Sequence, residues 1–122
     1  MENGKKNWIF CDGDLPPPGD GELIGHEALM VVNLNKEPAN ISLTFLFEDK
    51  DPKKGIKIKV DGERVRCFRL DMPIGDAGEE YQLTFGQYAL HLSSDVPICA
   101  VFGRADVRQA NLAYYSVQGY SY

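Results

Sequence analysis

The sequence predicts an all-β fold, a sandwich or barrel of eight or nine short strands in a single domain over residues 1–122. Two observations carry this prediction. Short apolar runs recur along the whole chain, and 12 glycines and 7 prolines punctuate almost every gap between them. No run is long enough for a convincing helix, since the one helix-like stretch, residues 105–113, is too short to stand alone. No internal repeat is visible, and no linker divides the 122 residues.

Each element follows from local pattern. Residues 7–12 read as a first strand. Residues 13–25 form a loop, because the three prolines Pro16, Pro17 and Pro18 fix φ and donate no backbone hydrogen bond. Residues 26–34 are nearly uncharged and rich in Val and Leu, which suits a strand buried on both faces. Residues 39–47 alternate, with Ile41, Leu43, Phe45 and Phe47 on one face and Ser42 and Thr44 on the other. A charged turn at 49–55 leads to Ile56, Ile58 and Val60 alternating with Lys57 and Lys59. Asp61-Gly62 is a two-residue hairpin signal, with 64–70 as the returning strand. Residues 71–79 form a second loop. Residues 81–85, 87–93, 97–104 and 112–118 read as further strands, and 119–122 as a loose tail.

Composition narrows the function. The net charge is −5, with 43% hydrophobic and 25% charged residues, as in an ordinary globular domain. An acidic chain repels phosphate at long range, which weighs against general binding of nucleic acid or membrane surfaces. No run approaches a membrane-spanning length, and the apolar stretch near the start is too short for a secretory signal. Cys11, Cys67 and Cys99 sit in apolar settings at spacings that fit no zinc or redox motif, so they read as buried thiols of a reduced, cytoplasmic protein. With only His26 and His91 available, no metal and no cofactor is expected.

Four groups of residues are candidates for chemistry. His26 and Glu27 open a strand after a Gly-rich loop; they either satisfy loop backbone or contribute His26 to a pocket, and as strand neighbours they face opposite ways. Arg104, Asp106 and Arg108 share one face if the strand continues. There they form either a structural ion-pair network at a subunit contact or a fork of donors for a carboxylate, phosphate or sugar hydroxyl. Trp8 and the tyrosines offer flat faces with polar edges, suited to core packing or to stacking on a sugar. Residues 50–69 hold eight of the 13 basic side chains, and Lys50, Lys53, Lys54, Lys57 and Lys59 are the contacts a DNA-binding alternative would use. No nucleophile motif, phosphate loop or calcium loop is present.

Taken together these residues resemble the soluble sensory rhodopsin transducer family, over about residues 4–116. The resemblance rests on Trp8 followed by Asp12-Gly13 and Leu15-Pro16-Pro17, on His26-Glu27 leading to Asn33, and on Val96-Pro97-Ile98 running into Arg104, Asp106, Arg108, Gln109 and Ala110. It implies a jelly-roll-like β-sandwich, a homotetramer, and a non-enzymatic role as partner of a membrane photoreceptor or other signalling protein. It also implies a small polar ligand such as a carbohydrate, held by Trp8, Asp12, His26, Glu27, Arg104, Asp106, Arg108 and Gln109. The chain departs from the family pattern at Gly25, at Gly103 and in its Tyr-rich end. The alternatives are a DNA-binding regulator using the basic face and an uncharacterised enzyme with His26 and Glu27 as acid and base.

Overall fold

The computed structural model describes residues 3–76, 78, 81–107 and 113–122. Among the described residues there are eight strands, all paired antiparallel, and no helix. They are β1 (Lys5–Leu15), β2 (His26–Asn33), β3 (Ala39–Leu46), β4 (Lys53–Val60), β5 (Arg64–Arg69), β6 (Gly86–Asp106), β7 (Ala113–Val117) and β8 (Tyr120–Ser121). No helix among them is long and apolar enough to cross a membrane.

The 21-residue β6 makes two layers from one connected ladder. Its first half, up to Ser94, pairs with β1 and β3; its second half pairs with β2 and β7. One sheet therefore runs β4-β3-β6-β1-β8, and the other β5-β2-β6-β7. The corner falls at residues 95–97, where the register against β1 jumps from Asn7↔Ser93 to Lys5↔Ile98. Pro97 has no N–H to continue a ladder, and its carbonyl accepts a bond from Asn35 Nδ2 at 2.7 Å. The sequence reading divides this strand into 87–93 and 97–104 at that turn-like stretch; the chain instead stays extended and changes sheet.

Period-two alternation aims Leu29 and Val31, Ile41, Leu43 and Phe45, Ile56, Ile58 and Val60, and Leu90, Leu92, Ile98 and Phe102 into one core. Each such burial is worth about 1.5–3 kcal/mol. Rings run through this core in contact from Trp8 to Phe10, Phe102, Tyr88, Phe45 and Tyr81.

Four expectations are corrected. The Asp61-Gly62 turn does not close a hairpin: β4 pairs with β3 and β5 with β2, so the turn crosses from one sheet to the other. The buried Asn33 anchors it, its amide donating to the carbonyls of Glu37 and Val60, while Glu63 N bonds Asn35 O. Residues 81–85 form no strand beyond an isolated bridge between Ile74 and Tyr81. The tail is pinned: β8 pairs with Trp8 and Ile9, and Asn7 and Tyr122 exchange two backbone hydrogen bonds of 3.0 Å. Finally, Cys11 and Cys67 are exposed and Cys99 is half-buried, all with free thiols. Cys67 opposes Met30 on the outer face of its sheet, because the alternation that buries Phe68 turns its neighbour outward.

Candidate functional site

The β2–β6 register sets Glu27 directly opposite Arg104 and His26 opposite Ala105. Glu27 and Arg104 therefore point between the sheets, and His26 points away. Glu27 is fully buried, at 0% exposure. Its Oε1 accepts a 2.5 Å hydrogen bond from the Tyr88 hydroxyl; its Oε2 accepts from Arg104 Nε at 2.8 Å and from Asp14 N at 3.2 Å. Arg104 also donates to Tyr115 Oη, at 2.7 Å from Nη1, and to the Asp12 carbonyl, at 2.6 Å from Nη2. The guanidinium lies 5.3 Å from the Tyr115 ring centroid.

Local irregularity in β1 makes this possible. Between Phe10↔Leu90 and Gly13↔Tyr88 the strand carries one extra residue, a bulge at Cys11-Asp12. The bulge breaks the ladder and frees the Asp12 carbonyl for Arg104, while the Asp12 side chain stays largely in solvent, its Oδ1 3.8 Å from Nη2. Gly13 lets the Tyr88 ring pass close by: a Cβ there would lie 2.6 Å from its ring atoms.

The electrostatics are those of a closed pair. Burial works against the Arg104 charge, but the hydrogen bonds to Glu27 and Tyr115 overcome it and raise the pKa. Burial, then the negative charge of Glu27 and the bond made to it, push the Tyr88 hydroxyl far above the usual phenol range. Tyr88 thus keeps its proton and is a fixed hydrogen-bond donor to Glu27. Among the described residues no buried side-chain polar atom lacks a hydrogen-bond partner.

Of the residues singled out from sequence, Asp12, Glu27 and Arg104 meet in this network. Asp106 lies two residues beyond Arg104 on the same face of β6 and is half-buried. Arg108 and Gln109 lie outside the described residues. His26 is on the opposite face, its Nδ1 2.7 Å from the Ile24 carbonyl, an acceptor that requires the proton on that nitrogen. Trp8 is elsewhere along β1; its indole N–H is shared between the carbonyls of Lys5 and Ile98, both at 3.1 Å, and its ring stacks on Phe10. Tyr88 and Tyr115, read from sequence only as aromatic faces, also belong to the network through their hydroxyls, as does Asp14 through its backbone N–H. At Gly103, a Cβ would lie 2.6 Å from the Tyr114 hydroxyl, so the bare glycine and the Tyr-rich end fit each other.

The five lysines of the DNA alternative lie on β4 and on the turn that leads into it. Lys57 and Lys59 face outward opposite Ser42 and Asn40, and Lys59 lies 3.5 Å from Asp61. Lys50 sits over the Phe47 ring, Lys53 over Tyr81, and Lys54 is exposed. Among the described residues no group of three or more His, Cys, Asp or Glu side chains could hold a metal ion.

Comparison with known proteins identifies the fold's kin. The family described as the Anabaena sensory rhodopsin transducer matches residues 3–121. The solved structure of Thermotoga maritima 1070 superposes with a TM-score of 0.82 at 30% identity, over 98% of this chain and 97% of that one. The Anabaena sensory rhodopsin transducer itself superposes with a TM-score of 0.73 at 27% identity, over 90% and 96%. Curated protein sequences give no match. With its all-β sandwich and a match spanning nearly every residue, the chain belongs to the Anabaena sensory rhodopsin transducer family.

Proposed function

We propose that the protein is a non-enzymatic, cytoplasmic signalling module that works by contact with a protein partner, a membrane photoreceptor or another signalling protein. The observation that carries this reading is the closed Glu27–Arg104 network. Both carboxylate oxygens of Glu27 and three guanidinium nitrogens of Arg104 are committed to internal partners, so the pair presents no unpartnered oxygen to a substrate. A fixed polar tie between the sheets suits a module whose shape is read by others.

Assembly fits the same reading. The outer face of the β5-β2-β6-β7 sheet carries Val65, Met30, Val32, Val101 and Tyr114, and Val65 is 63% exposed. Apolar faces of this kind mark protein interfaces, and we assign this one to a homotetramer. A small polar ligand such as a carbohydrate is the second input, bound where Asp12, Asp106 and Tyr115 rim the buried Arg104.

The test uses a purified sensory rhodopsin in detergent, its photocycle followed by flash absorption with and without the chain. A saturable change in photocycle rate is the expected result. An unchanged photocycle at saturating chain removes the photoreceptor partner. Sedimentation of Val65→Glu and Val101→Glu tests the tetramer, and a thermal-shift panel of mono- and disaccharides tests the ligand.

A further inference from the structure

A cleft of about 670 Å³ lies between the β3–β4 turn and the entry to β6. Phe47, Glu48, Asp49 and Lys50 form one wall, and Thr84, Phe85, Gly86 and Gln87 the other. A second cavity of about 370 Å³ continues it along the sheet past Leu46, Ala89 and Cys11. The size is that of a specific binding site.

The chemistry of the lining is selective. Phe85 is 65% exposed, a large ring left in water at the lip. Phe47 holds a cation: the Lys50 ammonium lies 4.3 Å from its ring centroid. Two carboxylates, Glu48 and Asp49, stand beside that one ammonium, and the whole chain carries −5. Aromatic faces with adjacent carboxylates take up a positively charged group, the faces by their quadrupole and the carboxylates by charge-assisted hydrogen bonds. Lys50 occupies the site only from an exposed position, so a competing cation can displace it.

We propose that this cleft is a docking site for a basic protein segment, one that inserts an arginine or lysine side chain between Phe47 and Phe85 against Glu48 and Asp49. The charge of the walls selects the occupant. The site stands without the relay reading above, since its test involves no receptor.

The experiment is a titration of the full chain with a tetra-arginine amide, followed by calorimetry and by backbone amide shifts, with the tetra-citrulline amide as its uncharged counterpart. Binding of the arginine peptide with shifts at Phe47, Phe85 and Gln87, and none with citrulline, is expected. Phe85→Ser keeps every charge and removes one ring from the surface, so it should fold normally and bind about fivefold more weakly. Glu48→Gln with Asp49→Asn should weaken binding at least as much. Equal affinity of Phe85→Ser and the parent, equal binding of citrulline, or shifts confined to other surfaces would each overturn the proposal. A failure here leaves the photocycle assay untouched.

Discussion

Replacing Arg104 with methionine tests the network most directly. The stem of the side chain is retained, so packing changes little, but Glu27 loses the 2.8 Å bond from Nε and a buried counter-charge. The carboxylate is 0% exposed and keeps only the Tyr88 hydroxyl and Asp14 N. Breaking one side of a buried pair leaves an uncompensated charge and costs about 3–5 kcal/mol. Removing both partners, as Glu27→Leu with Arg104→Met, removes the charge problem. What remains is a buried Tyr88 hydroxyl without its acceptor, at about 1–3 kcal/mol, with smaller losses at the part-buried Asp14 N, Asp12 carbonyl and Tyr115 hydroxyl. The double variant should therefore be more stable than Arg104→Met alone, and adding Tyr88→Phe should recover most of the rest. Urea unfolding at fixed protein concentration, read by circular dichroism and by Trp8, the sole tryptophan, gives each value. A cost below about 1 kcal/mol for Arg104→Met, or a double variant whose loss equals the sum of the singles, would refute the coupling.

Three further outcomes follow from the same geometry. Hydrogen bonds from the Asn40 side chain and then its backbone N–H hold the Asp95 carboxyl below the usual carboxylate range. Its contribution is therefore complete above the unfolded value of about 3.9 and is lost as pH falls through the lower folded value; unfolding midpoints at pH 5, 4 and 3 should fall, and Asp95→Asn should flatten that part of the profile. Deleting residues 120–122 removes the β8 ladder and the two Asn7–Tyr122 bonds, which should cost about 1–2 kcal/mol and speed amide exchange at Asn7. Gly13→Ala places a methyl 2.6 Å from Tyr88 ring atoms that have no room to retreat. Overpacking of about 1–3 kcal/mol is expected, with the Tyr88 side-chain resonances shifting as its hydroxyl moves off Glu27.

Strands were legible in the sequence because alternation is a local property: Ile41, Leu43 and Phe45 reveal their face without knowledge of any partner. Layering was not, because it depends on which strands pair. Asp61-Gly62 has the chemistry of a hairpin, yet the ladder partners of its flanking strands are β3 and β2, and the deciding residue is the buried amide of Asn33. The same limit applies at the site. Glu27 and Arg104 each stood out, but only the register makes them opposite neighbours. Tyr88 looks like any core aromatic until its hydroxyl is seen to end on Glu27. The exposure of Cys67 could have been read, since period two places it with Val65 and Arg69, opposite the buried Phe68 and Leu70.

Arg104 joins more of the molecule than a pairwise ion pair does. It sits on β6, ties to Glu27 on β2, to the bulge of β1 through the Asp12 carbonyl, and to β7 through Tyr115. These strands belong to both sheets. On β7 the neighbour of Tyr115 is Tyr114, which faces outward with the apolar surface assigned to protein contact. A partner that shifts β7 must therefore either carry the Arg104–Tyr115 bond along or break it. A hydrogen bond to a charged group contributes about 1.5–3 kcal/mol, which bounds what this link can transmit. That range matches the coupling free energies of about 1–3 kcal/mol by which one site ordinarily biases another. If a partner docks on the outer face as proposed, one bond at the edge of the buried network is large enough to couple that contact to the interior between the sheets.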